Sequence, residues 1–131
     1  MRPRINVRIH GSITSIDVPA LIDSGCDISV IPDSIAEAIG LDMKGEESEL
    51  QAYRETTKVI RSKVAVTFMS RANRENVTLI IPILIALSSK DHEDEQEIVL
   101  GIAGIFDGFD ITFKKSQNKI ILKRVSNIMD Y

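Results

Sequence analysis

The chain has 131 residues and a formal charge of −3, from 16 Lys and Arg against 19 Asp and Glu. That length suits one domain, residues 1–131, with its own core, and the slight acidity gives no broad pull toward nucleic acid or an anionic membrane. The longest apolar run, Val77 to Leu87, is far short of the ~20 residues that span a bilayer, and Met1-Arg2-Pro3-Arg4-Ile5 lacks the apolar core of a signal peptide. A soluble cytoplasmic protein with no nucleic-acid or membrane partner is the expectation.

In chain order the strand pattern dominates. Ile5, Val7 and Ile9 alternate with Asn6, Arg8 and His10, the signature of a half-buried strand. Gly11-Ser12 is a turn, and Ile13 to Val18 returns as a second strand. Leu21-Ile22 leads into a turn at Asp23, and Ile28 to Ile31 leaves it. Pro32-Asp33-Ser34 then opens a helix, with Asp33 as N-cap and Gly40 as C-terminal stop. Residues 46–57 are polar, residues 58–69 alternate again through Val59, Val64, Val66 and Phe68, and residues 71–76 make a loop. The run from Val77 reads as a buried strand that Pro82 bends or places at an edge. An acidic loop follows, then a strand at 97–100, a short turn or helix at 102–107, and strands near 109–114 and 118–124. Many short strands with one or two small helices predict a closed or folded β barrel. The basic stretch from Lys114 to Arg124 reads as a solvated strand face rather than a binding patch.

The chemistry concentrates in Ala20-Leu21-Ile22-Asp23-Ser24-Gly25-Cys26-Asp27-Ile28-Ser29-Val30-Ile31-Pro32. An apolar strand runs into an acid, a hydroxyl and a glycine, then returns to an apolar strand. A carboxylate flanked by core is costly unless it is hydrogen-bonded or functional. Asp-Ser-Gly by itself is also ordinary turn chemistry. Cys26 is the single cysteine, so no internal disulfide forms. Asp23 and Asp27 beside it disfavour a thiolate nucleophile, and a small filler beneath the loop is the alternative. The cluster from Asp91 to Glu97 reads as a solvated acidic loop, with a divalent-cation site as the alternative. No metal or cofactor is expected.

The pattern of two apolar residues followed by Asp23-Ser24-Gly25, a short apolar run and Pro32 resembles the active-site signature of aspartic proteases. The resemblance is to the retropepsin-like branch, and to its cellular members. The helical segment from Asp33 to Leu41 follows at once, as in many of those domains. Ile98-Val99-Leu100-Gly101 resembles the second family signature. Phe106 to Phe113 and Lys119 to Leu122 resemble its closing hairpin, so the likeness spans residues 5–124.

That resemblance implies a mainly β protein, a closed barrel of the acid-protease type with one or two short helices. It implies an aspartic endopeptidase acting on a peptide or protein substrate. Peptide hydrolysis by two carboxylates uses one as general base and one as general acid, and two carboxylates about 3 Å apart share one proton. The chain supplies only one Asp-Ser-Gly, so the activity requires a homodimer that sets Asp23 against its symmetry mate. By resemblance, Asp23 is the catalytic acid or base, Ser24 braces the two loops across the axis, and Gly25 lets the backbone approach and turn. Asp27 stands at the position that binds substrate amides, with local turn capping as the alternative. Leu50 to Lys58 stands where the family carries its lid, which brings Ala52 and Tyr53 to the substrate. Two departures are visible: no glycine occurs from Glu46 to Leu100, and Ile102, not arginine, follows Gly101. A non-catalytic module of the same fold, binding peptide or serving dimerisation, is the competing expectation.

Overall fold

The computed structural model describes residues 3–52, 55–69, 76–87, 97–105, 109–114 and 119–124. β1 (Arg4–His10) and β2 (Ser15–Ile22) form an antiparallel hairpin, and its alternation buries Val7, Ile9 and Ala20. β2 begins at Ser15, two residues later than the apolar pattern suggests, because Ile13 belongs to the turn. The Ile13 amide donates to the Ile39 carbonyl at 2.9 Å, and the Ser12 hydroxyl to the Gly40 carbonyl at 2.6 Å. The turn thereby satisfies carbonyls at the end of a helix that would otherwise lack partners.

β3 (Ser29–Pro32) runs directly into that helix, α1 (Asp33–Ile39), which buries Ala36 and Ile39. The N-cap is Pro32, not Asp33, and no side chain caps the first turn. Pro32 holds an extended ψ of 145° before the helix, which leaves Asp33 as a first-turn acid that complements the helix dipole. At the other end Gly40 stops the helix as the sequence suggests, in the left-handed conformation at φ 83°, with its amide on the Ala36 carbonyl.

β4 (Glu47–Ala52) and β5 (Glu55–Phe68) form a second antiparallel hairpin, and β5 pairs along its far side with β6 (Val77–Ala86). β7 (Ile98–Leu100) runs parallel to β2 and antiparallel to β3, while β3 runs parallel to β6. The sheet order is β1-β2-β7-β3-β6-β5-β4, and β1 also pairs with β5. Six strands thus close into a ring, and β4 lies outside it, attached to β5. Pairing of β6 with β3 starts at Ile83, so Pro82 stands where β6 has β5 as its strand partner, a local edge as its chemistry demands.

The barrel interior holds Val7, Ile9, Ala20, Ile31, Val64, Val66, Phe68, Ile81, Ile83, Ile85, Ile98 and Leu100, with Ala36 and Ile39 of α1 packed in. β8 (Phe109–Lys114) and β9 (Lys119–Arg124) pair with each other in a separate two-stranded sheet. This hairpin does not close the ring; the β1–β5 pairing does. It is fastened to the barrel by Phe109, whose amide reaches the Ile105 carbonyl and whose ring lies 5.4 Å from that of Phe68. The expected turn or helix after β7 is a turn over residues 102–105, so α1 is the one helix among the described residues.

Residues 53–54, 88–96 and 125–131 lie outside the described residues, and with them Tyr53 and all of the acidic cluster from Asp91 to Glu97 except Glu97. No described helix is long and apolar enough to cross a membrane.

Candidate active site

Asp23 follows β2 without a break. Its amide donates to the Leu100 carbonyl at 3.0 Å, so the β2–β7 pairing carries past Ile22 to the carboxylate-bearing residue. The chain then turns: the Cys26 amide returns to the Asp23 carbonyl at 3.2 Å. The carboxylate of Asp23 is engaged on both oxygens. Oδ1 accepts the Gly25 amide at 2.9 Å, and Oδ2 accepts the Cys26 thiol at 3.4 Å. Gly25 earns its place by close approach rather than by backbone sign. It is not among the positive-φ glycines, but a Cβ there would stand 3.1 Å from Asp23 Oδ1.

The Asp23 loop and the second apolar-glycine segment are tied together by backbone. Ile102 N–H donates to the Cys26 carbonyl and Ala103 N–H to the Asp27 carbonyl, each at 2.9 Å. Gly101 lies so close that a Cβ would fall 2.7 Å from the Cys26 carbonyl oxygen and 2.8 Å from the Ile28 carbonyl carbon. Its own amide donates to the hydroxyl of Ser29, a fully buried side chain, at 3.0 Å. Ile102 and Ala103, which follow Gly101 where no arginine stands, therefore reach the loop through main-chain amides. Ser29 was not singled out from the sequence. The available signal was a hydroxyl at an inward position of an otherwise apolar strand, where a buried polar group needs a partner.

Ser24 and Asp27 are exposed on the same loop, and Asp23 and Cys26 are half-buried. Burial, together with the Asp23 hydrogen bond and the negative charges of Asp23 and Asp27, pushes the Cys26 thiol above its ordinary value. This opposes a thiolate nucleophile on physical grounds. Ala52 ends β4 at the tip of the β4–β5 hairpin, opposite Glu55 in the register, and β5 and β6 separate β4 from β3 in the sheet order. Tyr53 lies outside the described residues. Among the described residues no three His, Cys, Asp or Glu side chains converge as metal ligands would.

Register identifies the apolar surface beside the carboxylate. Leu21 pairs with Val99, Val99 with Val30, and Val30 with Leu84, so four side chains form one row across β2, β7, β3 and β6. Direct partners share a sheet face, and residues two apart on a strand share it too. Asp23, two residues after Leu21, therefore emerges on the face of that row, opposite the core side chains Ala20, Leu100 and Ile31. Val30 and Val99 are half-buried, and Leu21 and Leu84 nearly covered. Ile22, Val30 and Ile31 are apolar side chains that flank Asp23-Ser24-Gly25 in sequence. Ile31 points into the barrel, and Ile22 is buried opposite Leu100. Alternation alone cannot say which parity faces a site when both faces are apolar.

No curated protein sequence matches the chain. Among solved structures, the retroviral protease-like domain of Ddi1 from Leishmania major aligns over 96% of this chain and 95% of its own, at TM-score 0.60 and 11% identity. The EIAV protease in complex with the inhibitor HBY-793 aligns over 77% and 82%, at TM-score 0.48 and 16% identity. The family profile described as aspartyl protease matches residues 5–103, which includes both the Asp23 loop and the Leu100–Ala103 segment that braces it. The chain therefore belongs to the aspartyl protease family and has the retropepsin-like fold.

Proposed function

We propose that this protein is an aspartic endopeptidase, one domain per subunit, in which two Asp23 carboxylates meet across the axis of a homodimer. The observation that carries the reading is the Asp23 carboxylate itself. It is half-buried, fixed by the Gly25 amide, and held on a loop whose carbonyls are tied to the Ile102 and Ala103 amides. A solvated turn acid has no need of that bracing, whereas a general base gains from being held in one geometry.

In this reaction the ionised carboxylate takes a proton from water, and the water oxygen attacks the scissile carbonyl. The protonated partner gives its proton to the carbonyl oxygen. Collapse of the tetrahedral species then breaks the C–N bond as the amine receives a proton from one carboxyl and a hydroxyl of the diol returns a proton to the other, which restores the shared proton. The two carboxyls share a single proton in the active form, because two adjacent charges are mutually unfavourable. Ser24 braces the paired loops, and Asp27 receives substrate amides. Apolar substrate side chains lie against the half-buried Val30 and Val99, and the β4–β5 hairpin closes over the bound strand.

The test is Asp23→Asn, which retains shape and hydrogen-bonding ability but supplies no ionisable group. The expected outcome is a folded protein whose hydrolysis of denatured casein falls to background, since removing one member of a catalytic unit removes most of its rate. The parent should show a bell-shaped dependence of rate on pH, on the acidic side, because both limbs report the shared proton. Undiminished cleavage by Asp23→Asn defeats this mechanism. A parent that binds extended peptides and cuts none at any pH is a non-catalytic binding module.

A further inference from the structure

Arg4 and Glu97 form an ion pair on the side of the sheet where Asp23 emerges. Arg4 pairs in register with Leu21, two residues before Asp23, and its Nε donates to Glu97 Oε1 at 2.7 Å, across β2. Glu97 precedes Val99 by two residues, so alternation puts both on one side. We propose that Glu97 is a specificity-determining residue, whose carboxylate receives a lysine or arginine side chain of the substrate that lies along Val99. The proposal rests on the reading of this face as the groove of a peptidase and names a preference within it.

The carboxylate is held without being used up. Both contacts from Arg4, through Nε and Nη2, go to Oε1, and among the described residues no hydrogen bond reaches Oε2. The Glu97 side chain keeps 36% of its exposure, so a solute reaches it. The charge around it also favours a cation. Asp23 and Asp27 stand on the adjoining loop, whereas Arg4 and Arg8, the two arginines of β1, each hold a carboxylate already. The spacing suits a long basic side chain. Asp23 is bonded through its amide to the Leu100 carbonyl, and Glu97 lies three residues before Leu100, ~10 Å along the strand. A lysine or arginine near the scissile bond lays its apolar stem on the half-buried Val99 and brings its charged head to Oε2.

The experiment digests denatured casein with the parent, Glu97→Gln, Glu97→Lys and Arg4→Met, and maps the cut sites by mass spectrometry. The ion pair is exposed, so its loss leaves the variants folded. Parent cuts should be enriched in Lys or Arg at a fixed distance from the broken bond. Glu97→Gln should lose that enrichment. Its KM for a casein peptide carrying the basic residue should rise about three- to tenfold with kcat little changed, since the contact is equal in ground and transition states. Glu97→Lys should turn the preference toward Asp and Glu. Arg4→Met breaks the same ion pair but leaves the acceptor, so the basic preference should survive. Equal loss in Arg4→Met and Glu97→Gln makes the pair a strap between β1 and β7 and overturns the proposal. Parent cuts without basic enrichment also overturn it, and leave the peptidase standing. A second readout needs no cleavage: binding of Asp23→Asn to an array of overlapping casein peptides, with and without Glu97→Gln. A parent that cuts nothing refutes the proposed function, while basic peptides retained by Asp23→Asn and released on adding Glu97→Gln still support the Glu97 subsite. Equal binding by the two, or none, overturns it.

Discussion

Asp23, Gly25, Ser29 and Gly101 show how few side chains define the candidate site, and each acts through a different physical term. Asp23 supplies charge, Gly25 supplies a nearby amide, and Gly101 supplies room for two carbonyls that any Cβ would strike. Ser29 supplies a buried acceptor for the Gly101 amide at 3.0 Å. Ser29→Ala leaves that amide without its partner in the protein interior, which costs about 1–3 kcal/mol. Denaturant unfolding should register the loss, and peptide hydrolysis should fall with it, because the same amide positions the segment that braces the Asp23 loop. Ser29→Thr keeps the hydroxyl and should lose less. An alanine variant as stable as the parent would mean that Gly101 finds another acceptor.

At the scale of elements, β4 stands apart. The ring closes through β1 and β5, and β4 contributes hydrogen bonds to β5 alone. A lesion in β4 should therefore spare the barrel. Leu50→Pro removes an amide of β4 that faces Thr57 on β5, and should unzip the hairpin tip. The thermal transition should shift by only a few degrees, since ~1 kcal/mol corresponds to roughly 4–8 °C in a small domain and the buried core is untouched. Peptide turnover should fall sharply if the hairpin closes over substrate. By contrast Ile39→Ala, on the fully buried face of α1, should cost about 2–5 kcal/mol by opening a cavity. A β4 variant with full turnover would remove the lid from the proposed mechanism.

For the whole molecule, the decisive property is that one chain offers one Asp-Ser-Gly loop, with Ser24 exposed on it. The proposed active species is an assembly of two. Mixing Asp23→Asn subunits into the parent, followed by dissociation and reassembly, should depress activity below simple dilution, because every mixed dimer holds only one catalytic carboxyl. At equal amounts of the two subunits, random pairing would leave roughly a quarter of the dimers intact. Specific activity should also fall on dilution as the dimer dissociates. Activity that declines only in proportion to the parent subunit present would point to a self-sufficient monomer.

The sequence alone determined the local pieces. Alternation in Ile5–Ile9, the glycine stop at Gly40 and the strand runs expected near 109–114 and 118–124 are short-range signals, and the structure has an element at each, the last as β9 (Lys119–Arg124). The Asp23 loop was legible for a similar reason: an acid, a hydroxyl and a glycine between apolar strands need no distant contact to be noticed. Tertiary structure decided what pairs with what. The β1–β5 closure, the exclusion of β8 and β9 from the ring, and the Ser29–Gly101 bond join residues far apart in sequence, where no local pattern names the partner. It also decided parity. Leu21, Val30, Val99 and Leu84 share one row across the sheet, and Ile31 faces the core, because apolar side chains cover both faces of those strands and only register distinguishes one face from the other.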